Sequence, residues 1–176
     1  MSVSSVTGRV VLATLGIAFA TVLLRAQISS ALVTRGDGLA YWGDRKEARA
    51  SYARALFFDE TNRVAADRYV FDAALSDDPA DFRSGIAVAS RYLVHFPLDG
   101  VLLMDRGLCE QREGSLTSAI VDFQKAGNIE RDPRPLMFAA LDERALHHLG
   151  RARMLLRSAI ALDHRFEPAR SALMRT

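Results

Sequence analysis

The sequence predicts an all-α protein: an N-terminal transmembrane helix, an α-solenoid of about four helix-turn-helix repeats, and a short C-terminal capping helix. Three observations carry this reading. Residues 10–24 form an apolar run without a charge, a set of small residues recurs at a helical-hairpin period, and each break between periodic segments holds Gly, Asp, Ser or Pro.

The apolar run, VVLATLGIAFATVLL, is bounded by Arg9 and Arg25. At about 1.5 Å per residue it makes about 22 Å of helix, whereas a spanning helix usually needs about 20 apolar residues. Arg9 and Arg25 can snorkel outward, and the mild flanks 3–8 and 26–28 extend the span. The rival reading is a cleaved signal peptide, with Ser29 and Ala31 spaced for a cut after Ala31. That cut would remove the start of the first repeat helix, so a retained anchor, residues 1–28, is expected ahead of a repeat domain, residues 29–176. The anchor is expected to continue into the first repeat helix as one rod, with any break near Ser29-Ser30 or Gly36. Ala13, Gly16 and Ala20 share one face of it, a stripe suited to packing against another membrane helix. Arg25, Arg35, Arg45 and Lys46 after the span, against Arg9 before it, favour a cytoplasmic repeat domain. The short N-terminal tail favours the opposite, and a periplasmic repeat domain on a bacterial inner membrane is the expectation adopted.

The repeats are anchored on Gly36, Ala73, Gly107 and Ala140, which lie 37, 34 and 33 residues apart. Twelve residues after each anchor comes Ala48, Gly85, Ala119 or Ala152. Then follow Tyr52, Ala89, Phe123 or Leu156, and after those Ala55, Tyr92, Ala126 or Ala159. A period near 34 belongs to stacked helical hairpins. Small residues let paired helices approach, and the large ones fill the space beside them. The expected pairs are 29–42 with 45–57, 65–75 with 80–95, 100–112 with 116–126, and 134–148 with 151–162. Their turns fall at Gly43-Asp44, Asp77-Asp78-Pro79, Glu113-Gly114-Ser115 and Leu149-Gly150. A final helix, 168–174, starts on Pro168, whose missing N–H is not needed there.

Composition narrows the function. With 49% hydrophobic residues and five prolines among 176, the chain is not a disordered tail. The net charge is +2, and beyond Arg25 acids and bases balance, which excludes a nucleic-acid binder of the usual basic-faced kind. Charge is unevenly placed. Residues 59–99 hold eight acids against four arginines, and residues 134–176 hold eight arginines against four acids. Such polarity can orient a partner. The single cysteine, Cys109, reads as a buried thiol and allows no intrachain disulfide.

No nucleophile elbow, phosphate loop or zinc-protease helix is present. His147 and His148 point to different sides of a helix and cannot share a metal from one face. Asp77-Asp78 reads as a turn or cap, and Asp142-Glu143 as a solvated helix face. Neither an enzyme, a cofactor nor a metal is expected.

The slots resemble the tetratricopeptide repeat, over residues 29 to about 166. Repeat one matches with Gly36, Gly43, Ala48, Tyr52 and Ala55, and repeat three with Gly107, Gly114, Ala119, Phe123 and Ala126. Repeat four puts His147 where glycine is usual, and repeat two inverts the sizes at Ala89 and Tyr92. The resemblance implies a right-handed α-solenoid whose first helices line a concave, partner-binding groove. Carried over slot by slot, that groove comprises Val33, Asp37 and Tyr41; Asp67 and Val70; Val101, Met104, Gln111 and Arg112; and Arg134, Met137 and Arg144. It also implies a non-catalytic scaffold or adaptor whose partners are proteins, here the integral subunits of a membrane-associated complex. The alternative is a soluble periplasmic or secreted peptide-binding module released by signal cleavage.

Overall fold

An unbroken helix α1, Val3–Tyr41, opens the chain. The structure is a computed structural model that describes the backbone of residues 3–176 and the side chains of residues 14–16 and 18–176. Ala13 of the expected stripe lies outside the described residues, while Gly16 and Ala20 are exposed. Among the described residues there is one helical stretch, Thr14–Tyr41, long and apolar enough to cross a membrane. Leu15, Phe19, Val22 and Leu24 all stand exposed along it.

The rod expectation holds, and neither expected break occurs. Ser29 does not interrupt α1, because its hydroxyl donates across to Ala55 O at 2.9 Å and accepts from Asn62 Nδ2 at 2.8 Å. Gly36 does not interrupt it either. It gives the Tyr52 ring room to lie where a Cβ would clash.

Helix α2, Arg45–Phe58, folds back along α1 through a left-handed Gly43. The contacts step in opposite directions along the two helices: Arg25 with Phe57 and Phe58, Ser29 with Ala55, and Leu32 O with Ser51 Oγ. Arg25 does not snorkel freely. Its Nε donates to Phe58 O at 3.0 Å and its Nη2 to Phe57 O at 3.5 Å. The last carbonyls of a helix lack intrahelical donors, and here α1 side chains supply them.

The chain divides into two compact units, residues 1–65 and residues 66–176. Residues 28 and 29, where the anchor and the repeat domain are expected to meet, both lie within α1.

The second unit holds most of α3, Arg63–Ala74, then α4, Pro79–His95; α5, Gly100–Glu113; α6, Leu116–Glu130; α7, Pro133–Ala145; α8, Leu149–Leu162; and α9, Glu167–Met174. Asp78, Asp99 and Asp132 cap α4, α5 and α7, each accepting a backbone N–H from the first turn. Gly107 meets the Phe123 ring as Gly36 meets Tyr52, and Gly85 lies against Cys109 Sγ and Ala73. Where the anchor is alanine instead, its counterpart is Ala89 or Leu156, and no aromatic ring has to be admitted.

Two boundaries differ from expectation. Helix α6 runs four residues past Ala126, because Gly127 is a close-approach point rather than a stop: a Cβ there would sit 2.7 Å from Leu136 Cγ. Helix α7 stops at Ala145 rather than His148, and the turn falls at Leu146-His147 instead of Leu149-Gly150. His147 adopts φ 62°, so that His147 N bonds Arg144 O and His148 N bonds Glu143 O. Gly114 and Gly43 close α5 and α1 with the same pair of bonds. The two histidines therefore lie in a turn, not on a helix.

Candidate functional site

In the second unit an open cleft of about 560 Å³ lies between the first helices of successive hairpins. Helix α3 contributes Asp67, Arg68 and Phe71. Helix α5 contributes Gly100, Val101, Met104 and Asp105, and the α6–α7 corner adds Glu130, Asp132, Arg134 and Pro135. Its apolar floor comes from Phe71, Val101 and Met104, with Met104 also packed on the Phe123 core. The capping aspartate Asp132 bonds Arg134 Nε at 2.8 Å and holds that side chain at the rim.

Asp105 is the least expected member. It is only 5% exposed, and its carboxyl is pushed up to about 8. Burial is the main cause, reinforced by the charge of Asp67, a hydrogen bond with Asp67 and the charge of Asp99, while Arg68 opposes. At neutral pH Asp105 therefore holds its proton within the cleft, beside Asp67.

Of the expected groove residues, the structure brings Asp67, Val101, Met104 and Arg134 to this cleft. Others are engaged elsewhere. Val70 is fully buried and Val33 nearly so, so neither offers surface. Gln111 Nε2 donates to Asp142 Oδ1 at 2.5 Å. Arg112 donates to Ser76 O at 2.7 Å, pairs with Asp77 at 3.3 Å and covers the Phe82 ring. Met137 packs into the core beneath α8 and α9, and Arg144 is exposed in the last turn of α7. In the first unit Asp37 accepts from Tyr52 Oη at 2.9 Å, and Tyr41 stands exposed edge-on to Trp42.

Sequence reasoning missed Arg68, Phe71, Gly100, Asp105, Glu130, Asp132 and Pro135. Phe71 and Asp105 each follow directly on an assigned slot, Val70 and Met104, so the same register read one residue further would have found both.

Asp142 and Glu143 are buried, not a solvated face. Glu143 binds His148 Nδ1 at 2.7 Å and lies 3.9 Å from Arg151, while Asp142 takes the Gln111 amide. Burial raises the Asp142 carboxyl above the usual range. Buried Asp122 is held by both Arg106 Nε at 2.6 Å and Nη2 at 2.9 Å. Cys109 is buried, bonds Val70 O at 3.6 Å and has its thiol pushed up to about 12 by burial and by Asp105 and Glu110. A thiol held that high is unreactive. Among the described residues no group of three or more His, Cys, Asp or Glu is placed to hold a metal.

Solved structures place this architecture. The chain superposes on the crystal structure of MamA with a TM-score of 0.70 at 16% identity, over 78% of this chain and 80% of that one. A MamA from Desulfovibrio magneticus gives 0.66 at 16% identity, over 78% and 77%. A tetratricopeptide repeat protein from Parabacteroides merdae gives 0.67 at 14% identity, over 82% of this chain and 57% of the other. The fold is that of the tetratricopeptide-repeat proteins. No family model matches the sequence, and no curated protein matches it. At these identities the likeness concerns fold alone.

Proposed function

We propose that this chain is a non-catalytic, membrane-anchored scaffold that holds protein partners together in a larger membrane-associated complex. The observation that supports this best is α1. One helix carries an exposed apolar N-terminal stretch directly into the first repeat, where Arg25 and Ser29 lock α2 to it. A lever of this kind fixes a repeat domain at a bilayer, and a repeat stack offers surface rather than a reaction centre. In this reading the anchor spans a bacterial inner membrane once, the repeats face the periplasm, and the partners are integral subunits of the complex. The cleft with its acid pair serves as one partner contact, an extended or helical segment fitting its apolar floor.

The test is a mild-detergent pull-down through a C-terminal tag, with intact mass taken on the recovered chain. Full-length protein arriving with stoichiometric membrane subunits supports the scaffold. A chain cut after Ala31, recovered alone without detergent, contradicts it and leaves a released peptide-binding module. That cut would also remove Arg25 and Ser29, which satisfy α2's terminal carbonyls.

A further inference from the structure

Phe57 is an exposed aromatic at the end of α2, with 77% of its surface open to solvent. Its position is set by α1. Because α2 runs antiparallel to α1, its C-terminal end returns to the level of Arg25, the residue that closes the apolar run. The Phe57 ring is braced edge-to-face by Phe58 at 5.5 Å. Arg54, one turn back on the same face, is also exposed.

The backbone at this corner is prepared for a drier setting. Phe57 O and Phe58 O both accept from Arg25, and Ala55 O accepts from Ser29 and from Asp59 N. Asp59 turns its carboxylate to Thr61 N at 3.0 Å and Thr61 Oγ1 at 2.7 Å. Leaving helix-end carbonyls unsatisfied at a bilayer surface is costly, and this end leaves none of these three unsatisfied. The apolar run is also short: about 22 Å of helix against a hydrocarbon core of about 30 Å. A bilayer thins toward so short a span, which brings the headgroup boundary to its mouth.

We infer that the C-terminal corner of α2 is a second membrane contact, with Phe57, flanked by Arg25 and Arg54, seated at the boundary between lipid headgroups and acyl chains. The occupant is the lipid surface around α1. Aromatic and arginine side chains concentrate at that depth. The inference rests on the proposed anchor, and it goes further by fixing the tilt and height of the first repeat above the bilayer.

The chain's single tryptophan, Trp42, provides the control. It is 80% exposed but lies about 25 Å farther along α1 than Arg25. The full chain is reconstituted in phosphatidylcholine vesicles whose acyl chains are brominated either near the glycerol end or near the methyl end. Emission is compared for the native chain, for Trp42→Phe/Phe57→Trp, and for Trp42→Phe/Phe19→Trp. The inference predicts that the tryptophan at 57 is blue-shifted and quenched by the shallow bromines. It predicts that the one at 19 is quenched by the deep bromines and that Trp42 is quenched by neither. Quenching at 19 with none at 57 overturns the second contact and leaves the anchor standing. No quenching at 19 removes the anchor, and the second contact falls with it.

Discussion

Gly107 is the position where the repeat pattern makes its sharpest energetic claim. A Cβ built on it would lie 2.7 Å from Cε1 and 2.9 Å from Cδ1 of Phe123. Carbon atoms pack best at about 3.5–4.0 Å, so the ring or a helix must move by most of an ångström. The ring cannot swing aside, since Phe123 is fully buried and lies against Phe138 with centroids 5.5 Å apart. Overpacking of this kind costs about 1–3 kcal/mol. Alanine's better helix propensity returns up to about 1 kcal/mol, so Gly107→Ala should lose about 1 kcal/mol net. Gly150, in α8, has nothing within 4 Å of its would-be Cβ. There the same substitution keeps only the propensity gain, and the sign reverses. The assay is urea unfolding of the full chain in mild detergent, followed by far-UV circular dichroism. In a Phe123→Leu background the clash disappears, and Gly107→Ala should become neutral or stabilising, a coupling of about 1 kcal/mol or more. If Gly107→Ala stabilises as much as Gly150→Ala in both backgrounds, the small-against-large account of the repeat is wrong.

Other expectations follow from single contacts. His147→Gly relieves a side chain held at φ 62° and should stabilise by about 1 kcal/mol, read in the same denaturation series. Arg106→Met leaves the buried Asp122 carboxylate without its two-pronged partner, and a loss of about 3 kcal/mol is expected. Asp78→Ala removes the acceptor for Ala80 N and should cost about 1 kcal/mol, melting α4 from its first turn. Asp105 gives a pH dependence. The folded chain holds a proton up to about pH 8 that the unfolded chain releases near its ordinary value of 3.8. Folded protein thus binds more protons between those values, and stability falls as pH rises through the window. Asp105→Asn should flatten that slope and raise stability above pH 8 by at least about 1.4 kcal/mol, the equivalent of one pKa unit.

Helices and turns were legible where one residue type has one physical use. Gly43 and Gly114 both mark left-handed helix ends, and Pro79 marks the start of α4. The reading failed where a residue has two uses. Gly127 resembles a helix stop but is an approach point for Leu136, and His147 carries a left-handed turn without the glycine that would announce it. A serine can compete for backbone bonds within its own helix, but Ser29 bonds the neighbouring helix instead and α1 runs on unbroken. The site was half legible for a related reason. Spacing located the helices that line the cleft, and so found Asp67, Met104 and Arg134. Spacing alone could not separate Met104, which keeps a face on the cleft, from Val70, which is wholly covered. Asp142 and Glu143 were misread because their partners, Gln111, His148 and Arg151, are brought to them by turns and by a neighbouring repeat.

The central claim is that one uninterrupted helix carries the first repeat to the membrane, and a spin-label distance between positions 19 and 41 tests it directly. With Cys109→Ala as background and cysteines introduced at Phe19 and Tyr41, both exposed, the Cα atoms of a straight α1 lie about 33 Å apart. The account predicts a single narrow distribution near that value in bilayers. A broad or shortened distribution, reporting a hinge at Ser29-Ser30 or Gly36, would contradict it.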